Sequence, residues 1–224
     1  FDEASGTIID SGGYENNATA YGNPTYGVDG IDALAMDFDG VNDAIMVDDD
    51  DSLDMGTGDF TISFWIKIDD ASGSGAHRIV RKGNNVDTIT IQFTTTYWVA
   101  YAGSSYTTQF NQAPVEDEWT HIVFRRETNY TGDSNKIQLS LSINGVEEVT
   151  TDYNSAPLNL SNNVDLVIGG SLHSNTPTFN ALIDASLDEL KFHKRFMSDS
   201  EVTSLYQGGL AMRNYWDVGF SDSN

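Results

Sequence analysis

Ile137-Gln138-Leu139-Ser140-Leu141-Ser142-Ile143-Asn144-Gly145-Val146-Glu147-Glu148-Val149 is the stretch that decides the architecture. Ile137, Leu139, Leu141 and Ile143 alternate with Gln138, Ser140 and Ser142. A period of two gives a strand one apolar and one polar face. Asn144-Gly145 supplies two residues that tolerate positive φ, the requirement of a two-residue hairpin turn, and Val146 to Val149 returns as the next strand. Upstream, Trp119 to Arg126 reads as another strand, joined through the polar stretch Thr128 to Asn135, so the three form a meander. Thr61 to Ile68 repeats the pattern with Ile62, Phe64, Ile66 and Ile68 on one face. Further strands are expected at 34–38, 43–47, 77–82, 88–93, 97–102, 164–168 and 186–193, separated by clusters of Gly, Asn, Asp and Ser. Many short strands without intervening helices predict an all-β, two-sheet antiparallel sandwich.

One helix signal interrupts this pattern. Ser198-Asp199-Ser200-Glu201 has the spacing of a capping box, in which the Ser oxygen takes an amide proton and the Glu reaches back. Val202, Leu205 and Tyr206 give the segment an apolar side, and Gly208-Gly209 are expected to end it after about two turns. No Pro/Ser linker or fixed-period repeat divides the chain. The reading is one domain over residues 1–210 and an unassigned extension over 211–224.

Composition narrows the function classes. The 224 residues carry 34 acidic against 11 basic side chains, a formal charge of −23. Of the acids 25 are Asp and 9 are Glu, a skew toward turns, caps and hard-cation ligands. So negative a field repels phosphate backbones and anionic membrane surfaces, which argues against nucleic-acid binding. No apolar run approaches the roughly 18 residues of a membrane span, so no membrane insertion is expected. With no Cys, disulfides, thiol catalysis and zinc–thiolate sites are excluded. The sequence starts at Phe1 with neither an initiator Met nor a signal peptide, and reads as a processed protein or excised domain.

Several blocks, in order, resemble a laminin-G-like domain of the concanavalin A-like lectin/glucanase superfamily. They include Phe1 to Gly6, Asp10 to Gly13, Met36-Asp37-Phe38-Asp39-Gly40, and Gly58-Asp59-Phe60 through Lys67. They continue with Ile79 to Asn84, Trp119-Thr120-His121, Ser142 to Val146 and Leu166 to Gly170, then close with Leu187-Asp188-Glu189-Leu190, Met197 to Val202 and Leu205-Tyr206. The resemblance implies a concanavalin A-like jelly roll and a binding or adhesion module, commonly for carbohydrate. It also implies a structural calcium. The positions matching the family's ligands are Asp39 with the Gly40 carbonyl, Asp188, and Asp2 or Glu3. The alternative is that Asp39 caps its own turn and Asp188 faces water.

Catalysis lacks a motif. Retaining glycosidases need two carboxyls about 5–5.5 Å apart, and the Glu-x-Asp-x-Glu type of spacing that the superfamily's glucanases use does not occur. Glu116-Asp117-Glu118 has the wrong spacing and reads as a solvated turn. His77, His121, His173 and His193 show no paired-ligand spacing, and His121 reads as structural. The run Asp48-Asp49-Asp50-Asp51 reads as a solvated acidic loop, with a second calcium site as the alternative.

Sugar binding calls for accessible aromatics beside polar side chains. Tyr97, Trp98, Tyr101 and Tyr106 lie among Thr, Ser and Gly and are the candidates. Tyr97, Val99 and Tyr101 share one face of the strand and Trp98 takes the other, so only one set can be buried. Trp98 is the favoured platform. Arg81-Lys82 and Arg125-Arg126 are scarce positive charges suited to internal ion pairs. The sequence thus predicts a non-catalytic, calcium-associated recognition module at the cell surface or outside it, with a glycan or surface polysaccharide as partner. The alternative is a structural or decoration protein of a virion or cell-surface assembly, held by protein–protein contacts through an apolar patch around Trp216 and Phe220.

Overall fold

The computed structural model describes residues 1, 3–83, 88–172 and 179–219. Its strands are β1 (Ala18–Tyr21), β2 (Thr25–Asp29), β3 (Leu34–Asp39), β4 (Ala44–Val47), β5 (Phe60–Asp70) and β6 (His77–Lys82). There follow β7 (Ile89–Phe93), β8 (Trp98–Ala102), β9 (Thr107–Phe110), β10 (Trp119–Thr128) and β11 (Ile137–Ile143). The chain continues through β12 (Val146–Tyr153), β13 (Leu166–Ile168), β14 (Ser171–Leu172), β15 (Phe179–Asn180), β16 (Asp184–His193) and helix α1 (Asp199–Gly219).

Two seven-stranded antiparallel sheets face each other, and β14 and β15 pair separately. The first runs β1-β4-β13-β6-β7-β8-β9, the second β12-β11-β10-β5-β16-β3-β2. The expected meander is the β10-β11-β12 edge of the second sheet. The hairpin turn has Asn144 at φ 52° and Gly145 at φ 77°, both left-handed. The expected alternation builds the core. Ile62, Phe64, Ile66 and Ile68 of β5 and Ile122 and Phe124 of β10 meet Ile45, Val80, Ile91, Phe93, Trp98 and Ala100 from the first sheet.

The outer face of the second sheet is also covered. Val123 packs with Met197, Val202 and Leu205 of the helical segment, and Trp65 stacks on Tyr206 with ring centroids 5.5 Å apart. The capping box forms as expected: Ser198 N donates to Glu201 Oε2 at 2.8 Å, and Glu201 N donates to Ser198 Oγ at 3.4 Å. The helix length differs from expectation. α1 runs 21 residues through Gly208-Gly209 and crosses the expected boundary at residue 210. The reason is packing, since a Cβ on Gly209 would sit 2.7 Å from Trp65 Cζ2. Gly209 lets the helix lie on the sheet and does not end it.

Candidate functional site

The aromatic stretch separates as alternation requires, with Trp98 on the inner side. Trp98 is 3% exposed and lies against Phe93, ring centroids 5.4 Å apart. Its register partners are Phe93 and Phe110. Tyr106 is buried as well, its hydroxyl donating to Ser155 Oγ at 2.8 Å or the Ala156 carbonyl at 3.0 Å. Of the four expected sugar platforms, these two are core residues. Tyr97 and Tyr101 are half-buried, and Tyr101 lies on the side of β8 opposite Trp98, the outer face of the first sheet.

That face is laid out by register. One row across the strands reads Val167, Arg81, Thr90, Tyr101, Thr107. The next reads Arg78, Gln92, Val99, Gln109. Arg78 joins Arg81 on this side because the β6–β7 register shifts between Arg78 and Val80, which lets both Ile79 and Val80 enter the core. Arg78 Nη1 donates to Ser171 Oγ at 2.8 Å. Burial pushes the guanidinium pKa values of Arg78 and Arg81 down, and the Arg78 charge pushes Arg81 further. Burial raises the Tyr101 hydroxyl, as does Tyr97, and Arg78 acts in the opposite direction. Beside these rows opens a depression of about 530 Å³ lined by Gly73 to Ala76, Gln92, Thr94 to Thr96 and Tyr97. Sequence reading singled out neither Arg78 nor Gln92. Their signal is the register shift, which no local pattern displays.

The residues expected to bind calcium do not come together. Asp39 pairs in register with Asp184, while Asp188 lies four residues further along β16 opposite Trp65. At roughly 3.3 Å per residue that separation is too long for one ion. Asp39 Oδ1 accepts the amides of Val41 and Asn42 at 2.9 and 3.1 Å, so it caps the Asp39-Gly40 turn. Asp188 is fully buried and faces no water. Its Oδ2 accepts Ile31 N at 2.7 Å and Asp32 N at 3.1 Å, and Oδ1 accepts Glu189 N at 2.7 Å. Burial raises its pKa to about 6 against the pull of those amides. Asp2 lies outside the described residues. Among the described residues no group of three His, Asp or Glu side chains is placed to hold a metal ion. Asp39 and Asp188 therefore do not share one calcium ion.

Other charges have structural work. Lys82, 1% exposed, donates to Asp49 Oδ1 at 2.6 Å and to the Val164 carbonyl at 2.8 Å, so the Asp run is partly an internal counterion. Asp50 caps the short turn Asp51–Leu53 through Ser52 N at 2.8 Å. Arg125 is buried between Glu147 at 2.6 Å and Asp199 at 2.8 Å, tying the α1 start to the sheet. Arg126 donates to the carbonyls of Gly56 and Leu158 at 2.9 and 3.1 Å. His121 is 3% exposed and packs against Trp65 with ring centroids 4.9 Å apart and planes tilted by 37°, and burial lowers its pKa to about 4. His173 and Phe220 lie outside the described residues.

The family model described as the concanavalin A-like lectin/glucanases superfamily matches residues 39–203. No curated protein matches the sequence at a significant level. Among solved structures, the binding domain of Paraclostridial Mosquitocidal Protein 1 is similar at TM-score 0.69 and 19% identity, over 90% of this chain and 51% of that one. The Botulinum Neurotoxin serotype G binding domain gives TM-score 0.63 and 14% identity, over 89% of this chain and 48% of that one. The serotype D binding domain gives 0.65 and 12%, with the same coverage of 89% and 48%. The chain thus spans about half the length of these domains, and at these identities the likeness is one of fold.

Proposed function

The chain belongs to the concanavalin A-like lectin/glucanase superfamily, and from that membership we propose that it is a non-catalytic extracellular recognition module that binds carbohydrate on the outer face of the first sheet. The observation that carries this reading is the outward placement of Tyr101, with Thr90, Gln92 and Gln109 beside it in register. The half-buried Tyr101 ring supplies a stacking edge for a pyranose, and the exposed Thr107 and Gln109 supply donors and acceptors for its hydroxyls, while Thr90 and Gln92 are themselves buried. The two register rows contain no Asp or Glu, so they offer no carboxylate pair for glycosidic hydrolysis. That similar folds occur in toxin binding domains agrees with a binding role.

A glycan array run in calcium and again in excess EDTA tests the proposal. Binding that persists in EDTA and drops about ten-fold or more in Tyr101→Ala is expected, since losing a stacked ring costs on the order of 1–3 kcal/mol. Binding lost with EDTA would bring calcium back into the site. An array without hits would move the protein to the structural reading, with a protein partner to be sought.

A further inference from the structure

We infer that the glycan bound on this face is acidic, and that Arg78 and Arg81 are the residues that read its carboxylate or sulfate group. The inference rests on the carbohydrate reading above and specifies the charge of the ligand.

Arg78 stands opposite Gln92 and Arg81 opposite Thr90, two residues apart on β7. At strand spacing that sets the two backbone positions roughly 7 Å apart on one face, with Tyr101 next to Thr90 in the same row. Such a pair of half-buried like charges is unfavourable unless an anion answers it. Elsewhere the chain answers its buried cations. Lys82 has Asp49, Arg125 has Glu147 and Asp199, and Arg126 has a ring of carbonyls. Arg78 and Arg81 have no carboxylate at ion-pair distance among the described residues, although the chain has 34 acidic side chains to draw on. Arg78 is anchored at one nitrogen by Ser171 and Asn180, while its Nε is buried without a hydrogen-bond partner. Neutral acceptors thus meet one nitrogen of Arg78, and among the described residues no carboxylate meets either guanidinium.

A guanidinium beside an aromatic ring suits a sugar that carries a planar carboxylate or a sulfate ester, because fork-shaped donors match those oxygens. The overall charge of −23 repels long polyanions. Recognition therefore depends on contacts at these two side chains and not on a broad basic surface.

The test measures binding of an oligogalacturonate and a chondroitin sulfate oligosaccharide, each beside its carboxyl-reduced or desulfated counterpart, by titration calorimetry at fixed ionic strength. The expected result is that one acidic sugar binds at least about ten-fold more tightly than its neutral counterpart, in line with a charge-assisted hydrogen bond. Arg81→Gln and Arg78→Gln should erase that difference, and Arg81→Lys should restore part of it. Circular dichroism melts check that each variant is folded. Equal binding of acidic and neutral sugars, or acidic binding intact in folded Arg81→Gln, would overturn the inference while the glycan reading stands. Binding of neither kind, in a protein whose Tyr101→Ala variant behaves identically, would sink the glycan reading beneath it.

Discussion

His121 and Asp188 lie on either side of Trp65, each its direct register partner from a neighbouring strand, and they respond to pH in opposite senses. Burial, with a smaller push from Lys191, lowers His121 from 6.5 to about 4. Between those values the unfolded chain holds a proton that the folded one refuses, so the stability this neutral ring contributes is lost as pH falls from about 6.5 to 4. Burial raises Asp188 from 3.8 to about 6, so its contribution is present at low pH and lost as pH rises through that window. The two slopes partly cancel in the native protein. In His121→Phe, which keeps a ring against Trp65, the acid-side loss disappears. Denaturant unfolding at pH 4.5, 5.5 and 6.5 should show the variant gaining on the native protein toward acid by on the order of 2 kcal/mol. Parallel pH profiles would sink this assignment. At this scale the sequence was only half legible. Alternation establishes that Trp98 and Tyr101 face opposite ways, but the inner side is chosen by partners, here Phe93 and Phe110. Asp188 holds the amides of Ile31 and Asp32 across 157 and 156 positions, a distance at which no local pattern operates.

Glycine shows why the elements were legible in type and less so in extent. Gly145 acts as its motif suggests, closing the hairpin at positive φ, and a Cβ there would also sit 2.8 Å from Tyr206 Cβ. Gly208-Gly209 looks like a helix stop but lies inside α1. The two differ in their surroundings. A Cβ on Gly208 meets nothing within 4 Å, whereas one on Gly209 meets Trp65 at 2.7 Å. Gly208→Ala should therefore stabilise the protein by about 0.5–1 kcal/mol, through lower unfolded-state entropy and better helix propensity. Gly209→Ala should destabilise it by roughly 1–3 kcal/mol through overpacking. Thermal melts of the two variants read the contrast directly, and shifts of the same sign would show that α1 does not pack on Trp65 this way. Besides the short β14–β15 pair, the strands absent from the sequence reading are β1, β2 and β9, each an edge of one of the two large sheets. An edge strand has a neighbour on one side only and is short or polar where exposed, so the alternation that reveals β5 and β11 shrinks to Tyr26 and Val28 in Thr25–Asp29 and is missing from Thr107–Phe110.

For the whole molecule, the net charge of −23 is the property most plainly written in the sequence, and it decides how calcium should be tested. Any cation will stabilise so acidic a chain by screening its self-repulsion, so a calcium effect means little unless ionic strength is held fixed. At about 10 mM salt the screening length of roughly 30 Å spans the domain, and at 0.15 M it shrinks to about 8 Å. The melting temperature should accordingly climb by on the order of 5 °C between those conditions in NaCl alone, with the gain flattening beyond. A specific site behaves differently. One with micromolar affinity in 1 mM free calcium would add about 4 kcal/mol by mass action, or roughly 10 °C for a domain of this size. Asp39, at the end of β3 opposite Asp184, and Asp188, four residues further along β16, are each committed to backbone amides. Exchanging about 1 mM calcium for EDTA at 0.15 M salt should then move the melting temperature by less than roughly 1 °C, well inside what screening accounts for. A shift near 10 °C would establish a calcium site of a different composition, built from ligands other than the Asp39–Asp188 pair.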